Sequence, residues 1–142
     1  MNSVTELPFN NFLGIEQATD PSQVLRLPAG TRYLNHLGTV HASAQLALAE
    51  ASSGEFLLRA LGSSANVVPV VRRLESKFRK PANGALTSSV SVPQGLDQLH
   101  VDLAAKGRSL ITVVVELHDE SGAHTLSASV EWFIMRLQEG SA

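Results

Sequence analysis

Residues 40–61 form the longest segment of this chain in which almost every position is apolar or small. Alanine and leucine dominate the segment, and both favour the helical conformation. Gly62-Ser63-Ser64 follows it and predicts the end of a helix. A helix that is hydrophobic on nearly all sides is buried on most of them. The pattern therefore predicts a long central helix that is wrapped by a sheet, covered by a second subunit, or both.

The rest of the chain shows the alternation and the turn residues of β-strands. Strands are predicted over residues 12–18, 23–28, 67–79, 85–92, 109–118 and 124–137. In the third of these, Leu74, Ser76 and Phe78 are expected to face the core. Residues 1–11 are expected to form a loosely held segment or a short helical turn. Residues 95–106 are expected to form a short helix or an irregular crossing.

The order of two strands, one long helix and four strands predicts an α+β fold, in which one curved antiparallel sheet wraps around the helix. The length of 142 residues suits a single domain over residues 1–142. A single helix covers a curved sheet poorly at its edge. We therefore expect the protein to form a homodimer.

Composition narrows the range of functions. The net charge of −2 gives no general attraction to nucleic acid or to an anionic membrane, so neither is expected as a partner. The absence of cysteine excludes disulfides, thiolate metal sites and a cysteine nucleophile, and it is consistent with the reducing cytoplasm. Residues 1–11 lack a signal-peptide pattern, and no uninterrupted apolar run reaches the ~20 residues that a membrane helix needs. We expect a cytoplasmic protein that uses no metal or other cofactor.

Polar residues at the start and in the middle of the predicted helix mark a candidate site. Asn35 and His41 precede the helix, whose first N–H groups are free to bind an oxygen atom. Glu50 carries a carboxylate where the apolar pattern calls for a core residue, and an uncompensated buried charge is costly. N–H donors beside a candidate base or nucleophile are typical of acyl-transfer chemistry.

Glu50 and His41 cannot meet within one chain. Nine residues along a helix correspond to about 180° of rotation and a rise of roughly 13 Å. A site that uses both side chains therefore needs two chains, with Glu50 of one subunit near the helix start of the other. A symmetric dimer of this kind contains paired, equivalent sites.

Four residues resemble a motif of the hotdog-fold thioesterases: Asn35, Gly38, His41 and Glu50. The phenylacetyl-CoA-type acyl-CoA thioesterases, and related branches of unassigned function, have the pattern Asn-x-x-Gly-x-x-His-Gly-Gly, with Asp or Glu nine residues after the histidine. Residues 78–84 are also similar to the family's strand that ends in a basic-Pro-Ala turn. The resemblance implies a hotdog fold that hydrolyses acyl-CoA or a similar thioester. It also implies a homodimer or a dimer of dimers, with two antiparallel helices at the interface.

The resemblance suggests a catalytic role for three side chains. Glu50 would act as the nucleophile or as the general base, while Asn35 and His41 would hold the thioester and orient the attacking water. Each residue also has an ordinary alternative. Glu50 can pair with Arg59 on the helix surface, His41 can cap the helix, and Asn35 can bond the backbone of its own loop.

Substrate contacts are predicted for the backbone at the helix start and for a basic turn. Gly38 and the N–H groups near Ala42 and Ser43 would bind the thioester oxygen. Arg79 and Lys80, which belong to a cluster of five basic residues between positions 72 and 80, would bind the phosphates of coenzyme A. The alternative for the basic cluster is a solvated strand face.

Ala42 and Ser43 occupy positions at which the thioesterase pattern has glycines. Glycine permits the closest approach of a ligand to the backbone. This difference leaves a second functional hypothesis open, namely a non-catalytic hotdog module that binds an acyl or aromatic ligand.

Overall fold

Helix α2 (Ala42–Leu61) is the longest helix of the computed structural model, which describes residues 1–62 and 66–137. The other helices are α1 (Pro8–Leu13) and α3 (Asp97–Lys106). The strands are β1 (Glu16–Gln17), β2 (Leu25–Leu27), β3 (Val67–Phe78), β4 (Leu86–Ser91), β5 (Arg108–Asp119) and β6 (His124–Arg136). Short 3₁₀ turns lie at Val4–Glu6 and Thr31–Tyr33. None of the helices within the described ranges is long and apolar enough to cross a membrane.

The strands form one six-stranded sheet in the order β1-β2-β4-β5-β6-β3, and every neighbouring pair is antiparallel. Helix α2 packs across β2, β4, β5 and β6. Fully buried side chains fill the space between helix and sheet, among them Leu48, Leu86, Val115, Leu117 and Leu126. The prediction of an α+β fold with one antiparallel sheet around a long helix is confirmed.

The first predicted strand, over residues 12–18, is wrong at its beginning because Phe12 and Leu13 belong to α1. Pro8 stands at the first helical position, where a missing N–H costs nothing. Gly14 ends the helix in the left-handed conformation, with a φ of 78°. The proline and the glycine together favour a short helix over the strand that the apolar residues between them predicted.

The segment that sequence left open, residues 95–106, contains α3. Gly107 ends this helix with a φ of 73°, a conformation that favours glycine. Ser63 and Ser64, which were predicted to end α2, lie outside the described residues. Within the described part, Gly62 caps α2 through its N–H, which donates to the Leu58 carbonyl over 2.8 Å.

Two buried serines fix the rotation of α2 about its axis. The Ser52 hydroxyl lies 2.7 Å from the Ser88 hydroxyl of β4. The Ser53 hydroxyl donates to the Glu50 carbonyl over 2.7 Å and accepts a hydrogen bond from the Trp132 indole of β6 over 2.9 Å. Small side chains at these positions bring the helix close to the sheet while their hydroxyls stay paired. The orientation of the Glu50 side chain, away from the sheet, follows from these contacts.

One face of α2 is only half-buried in the single chain. Along this face, half-buried positions recur every three or four residues, at Ala47, Glu50, Gly54, Leu58 and Leu61. We call these residues the α2 stripe. All of them except Glu50 are apolar or small, so the stripe is a surface suited to packing that contains one carboxylate.

Strand β3 forms one edge of the sheet and lies beyond the strands that α2 covers. Its pairing with β6 shifts between Val71 and Arg73, where a β-bulge interrupts the alternation of faces. The register places Leu74, Ser76 and Phe78 on the inner face, as predicted, yet Ser76 and Phe78 are exposed. The end of the edge strand around Ser76 and Phe78 therefore presents an inner face that the described part of the chain leaves exposed.

Glu55 joins the N-terminal segment to α2. Its side chain is 1% exposed, and the Arg59 guanidinium lies 3.4 Å away. Its oxygens also accept hydrogen bonds from the Val4 N–H over 3.0 Å, the Ser3 hydroxyl over 3.1 Å and the Gln17 amide over 2.6 Å. Sequence analysis assigned this residue no role. Its charge is in fact compensated by donors that are distant in sequence.

We expect Glu55→Gln to lower the free energy of unfolding by about 2–3 kcal/mol, because a charged acceptor of several hydrogen bonds is lost in a buried place. Urea unfolding measures the change. The matched control is Glu75→Gln, which removes an exposed ion pair with Arg73 and should change stability by less than about 1 kcal/mol. Equal effects of the two substitutions would contradict the anchoring role of Glu55.

Candidate active site

The loop that leads into α2 is organised by the side chain of Asn35. Its Oδ1 accepts hydrogen bonds from the Leu37 N–H over 2.9 Å and the Thr39 N–H over 3.1 Å. Its Nδ2 donates to the Thr39 hydroxyl over 2.9 Å. Gly38 has a φ of 78°, and a Cβ there would meet no atom within 4 Å, so the turn itself explains the glycine. Asn35 thus bonds its own loop and keeps one amide hydrogen for a further acceptor.

His41 caps the start of α2. Its Nδ1 accepts a hydrogen bond from the Ser43 N–H over 2.9 Å, and its own N–H donates to the Tyr33 carbonyl over 2.7 Å. Because Nδ1 is the acceptor, the neutral ring carries its proton on Nε2, which is the atom that remains to donate to a ligand. The ring itself is exposed.

Two hydrogen bonds within the described residues leave only one of the predicted oxyanion donors free. The Gly38 N–H donates to the Asn35 carbonyl over 3.1 Å, and the His41 ring engages the Ser43 N–H. Ser43 was expected to offer its N–H to a thioester, but that group is engaged by His41. The hydrogen bonds of the described residues do not include the Ala42 N–H, which lies at the first helical position. The N-terminal end of a helix favours negative charge, so this N–H is suited to bind an oxyanion.

The helix start and the basic turn enclose an open groove of about 290 Å³. Its walls include Asn35, Ala42, Gln45, Phe78, Arg79 and Lys80. We call it the entry groove. A hydrogen bond of 2.9 Å from the Val40 N–H to the Ala82 carbonyl holds its two sides together. The structure thereby brings together four of the predicted site residues, Asn35, Ala42, Arg79 and Lys80.

Asp119, at the end of β5, positions the basic turn. Its Oδ2 accepts the Asn83 N–H over 3.1 Å, and its Oδ1 accepts the N–H groups of Ser121 and Ala123, both over 3.0 Å. Burial raises the pKa of Asp119, but these bonds and the Ser121 hydroxyl outweigh it, and the pKa lies below its usual range. Arg79 is held separately, since its Nε donates to the Ser127 hydroxyl over 2.7 Å.

Glu50 carries a carboxylate without a partner. Its side chain is half-buried, and no described residue forms a hydrogen bond or an ion pair with its oxygens. Arg59, the partner in the ordinary alternative, pairs with Glu55 instead. Burial raises the pKa of Glu50. A carboxylate in this state has a heightened affinity for a proton, as a base requires.

An apolar groove of about 330 Å³ begins one helical turn beyond Glu50. Gly54, Leu58 and Leu61 of the α2 stripe line it, together with Trp132 of β6. A Cβ on Gly54 would lie 3.5 Å from the Trp132 ring, which is an ordinary contact, so the groove would tolerate alanine there. We call it the apolar groove. An acyl chain or an aromatic ring would be compatible with its walls.

A single chain does not unite all the predicted residues. Helix α2 is continuous from Ala42 to Leu61, so Glu50 and His41 stand about 13 Å apart along its axis. Sequence reasoning also missed Gln45, which lines the entry groove one turn after His41. The sequence signal for Gln45 is a polar side chain within an otherwise apolar helix.

Within the described ranges, no group of three or more His, Cys, Asp or Glu side chains could hold a metal ion. His118 and His124 stack on each other with ring centroids 4.7 Å apart, and His124 Nε2 lies 2.6 Å from Glu116. These rings lie on neighbouring strands of the β5–β6 hairpin and interact with each other rather than with a site.

Comparison with known families places the chain. A model of a domain family of unknown function, DUF4442, matches residues 14–134. The match covers most of the sequence, so the chain belongs to this family. Among curated proteins, no sequence matches it.

Solved structures of three other proteins share the hotdog fold of this chain. The protein PA5026 from Pseudomonas aeruginosa, described as of unknown function and a probable thioesterase, has 24% identity and a TM-score of 0.80, with 94% of this chain and 91% of that chain covered. The BH2602 protein from Bacillus halodurans, solved with CoA, has 20% identity and a TM-score of 0.69, with 89% and 75% covered. A phenylacetic acid degradation-related protein from Ralstonia eutropha has 20% identity and a TM-score of 0.66, with 89% and 90% covered.

We expect Asp119→Asn to lower stability at neutral pH and to flatten its dependence on acid. The folded-state pKa of Asp119 is lowered, so its stabilisation is present above the unfolded value of about 3.9 and is lost as the pH falls through the folded-state value. Urea unfolding of both proteins between pH 7 and pH 3 measures this. A difference between them that stays constant down to pH 3 would contradict the role of the ionised carboxylate.

Proposed function

We propose that the protein is an acyl-CoA thioesterase that works as a hotdog dimer, with its sites at the subunit interface. The observation that carries the proposal is the half-buried Glu50 carboxylate, which has no partner among the described residues and lies within the otherwise apolar α2 stripe. An unpaired charge in such a place destabilises the fold. A catalytic role therefore explains the presence of Glu50 better than packing does.

A second copy of the chain supplies what one copy lacks. The α2 stripe is apolar around Glu50, and Phe78 is exposed on the inner face of β3, so both surfaces favour burial. In an antiparallel pair of α2 helices, Glu50 of one subunit approaches the Ala42 end of the other. The twofold axis then generates two equivalent sites.

Hydrolysis in this site divides the work between the two subunits. The Glu50 carboxylate takes a proton from water, whose oxygen forms a bond to the thioester carbon, or it attacks that carbon itself and water then cleaves the acyl-enzyme. In both routes the carbonyl electron pair moves to oxygen, and the Ala42 N–H stabilises the negative charge. The C–S bond then breaks, and the thiolate leaves and takes up a proton.

The two grooves account for the two halves of the substrate. Arg79 and Lys80 place positive charge at the entry groove, which suits the phosphates of CoA, and the Bacillus halodurans relative was solved with CoA. The apolar groove beyond Glu50 suits the acyl group. Asn35 and the His41 Nε2–H are donors that can hold the thioester or the attacking water between them.

We expect Glu50→Gln to reduce kcat on acyl-CoA by at least about 10²-fold, because the variant cannot take up the proton or attack the carbonyl carbon. The assay follows release of free thiol over a panel of acyl chain lengths. Glu75→Gln, an exposed glutamate on β3, is the matched control and should keep the wild-type rate. A wild-type protein without activity on the whole panel, or a fully active Glu50→Gln variant, would contradict the proposal.

The pH dependence of the reaction tests the same carboxylate. Since burial raises the pKa of Glu50, activity should fall on acidification through a pKa above the usual range near 4.3. The ionised carboxylate destabilises the fold above that pKa and has no such effect below the unfolded-state value. Glu50→Gln should therefore not lower the melting temperature at pH 7, and thermal unfolding checks that the lost activity is not lost folding.

We expect Ala42→Pro to reduce kcat by about 10²-fold without destabilising the protein. Proline removes the N–H of this residue but suits the first helical position, and His41 already has the φ of −59° and ψ of 139° that precede proline well. Ala42→Gly, which introduces the glycine of the thioesterase pattern and keeps the N–H, is the control and should retain activity. An Ala42→Pro variant as active as Ala42→Gly would exclude the N–H as oxyanion donor.

The shared site predicts that two inactive variants complement each other. Random assembly of Glu50→Gln with Ala42→Pro makes half the dimers mixed, each with one intact site, so about a quarter of wild-type activity should return. Glu50→Gln mixed with the double variant contains no intact site and is the control. No recovery in the mixed dimers, with subunit exchange shown by two tags, would contradict a site built from both chains.

The second hypothesis, a non-catalytic binding module, is favoured by Ala42 and Ser43, whose Cβ atoms narrow the approach to the helix start. It predicts that an acyl-CoA raises the melting temperature while no thiol is released. The thiol-release assay distinguishes the two functions, since turnover that depends on Glu50 excludes a purely binding role.

A further inference from the structure

Gln45 is a buried polar residue in the wall of the entry groove. Its side chain is 4% exposed, and its Oε1 is buried and has no hydrogen-bond partner among the described residues. A buried acceptor without a partner is costly, and native proteins rarely retain one without a reason. An apolar side chain at this position, like those around it on α2, would fill the same space at no such cost.

The position of Gln45 indicates which ligand group it meets. It lies one helical turn from the Ala42 N–H, and Phe78, Arg79 and Lys80 line the same groove. Under the proposed function, the thioester lies at Ala42 and the phosphates lie at the basic turn. The part of CoA between these two points is the pantetheine arm, whose polar groups are chiefly secondary amides.

We propose that Gln45 recognises the pantetheine arm of the thioester by a hydrogen bond between its side-chain amide and a secondary amide of the arm. The inference rests on the proposed function and assigns this chain a preference for thiols that carry an amide. A carboxamide suits the task because it offers both a donor and an acceptor, and rotation about its last bond exchanges them. Gln45 is thus a specificity residue, while the reacting atoms belong to Glu50 and Ala42.

The test compares two thioesters with the same acyl group, one of CoA and one of 2-mercaptoethanol, which has no amide. Gln45→Met keeps the shape of the side chain and removes the amide. We expect it to raise KM for the CoA thioester about tenfold with little change in kcat, and to leave the 2-mercaptoethanol thioester unaffected. Gln98→Leu, at an exposed glutamine of α3 that bonds Asp102, is the control and should change neither substrate.

Thermal unfolding separates recognition from a structural role. Because the Gln45 acceptor is unpartnered, Gln45→Met should not lower the melting temperature. If that variant does not fold, Gln45→Ala replaces it in the same assays. An unchanged KM for the CoA thioester, or an equal loss on both thioesters, overturns the inference while hydrolysis by the wild type upholds the proposed function.

Direct binding of CoA, measured by calorimetry, distinguishes the two failures. Wild-type protein that neither cleaves acyl-CoA nor binds CoA overturns both proposals. Wild-type protein that binds CoA without cleaving acyl-CoA contradicts the proposed hydrolysis. In that case, weaker binding by Gln45→Met supports the recognition of the pantetheine arm, and equal binding overturns it.

Discussion

The packing of α2 against the sheet is the constraint on which the rest of the structure depends. Ser52 and Ser53 allow the helix to approach β4 and β6 closely, and their hydroxyl contacts with Ser88 and Trp132 fix its rotation. A rotation of one residue, about 100°, would carry Glu50 away from the half-buried face. The same docking sets the helix start beside the basic turn. The positions of Glu50 and of the helix start thus both follow from one helix–sheet contact.

The two carboxylates of α2 differ in whether hydrogen-bond donors compensate their charge. Glu55 is the more deeply buried of the two, and donors from the N-terminal segment surround it. Glu50 is less buried but has no partner among the described residues. Since both stand in one apolar helix, the composition of the helix does not explain the difference. Compensation marks Glu55 as structural, and its absence is what makes Glu50 a candidate for chemistry.

Sequence predicted the fold because the fold depends on local patterns, and the spacing of polar residues along the chain selected the candidate site residues. The apolar run of α2, the alternating strands and the spacing from Asn35 to Glu50 are readable along the chain. The structure added what depends on distant contacts: the partners of Glu55, the unpaired Gln45 acceptor and the link from Asp119 to the basic turn. A local pattern also gave one wrong prediction. Apolar residues indicated a strand from residue 12, but Pro8 and Gly14 favour the short helix α1 there.

The β-bulge between Val71 and Arg73 has a consequence for edge-to-edge aggregation of this protein. Before it, the outward side of β3 carries Val68 and Val70; after it, that side carries charged residues such as Lys77. A kinked edge of uneven chemistry is a poor template for the endless stacking of flat strands that builds fibrils. The bulge therefore disfavours strand-by-strand stacking along the apolar part of β3.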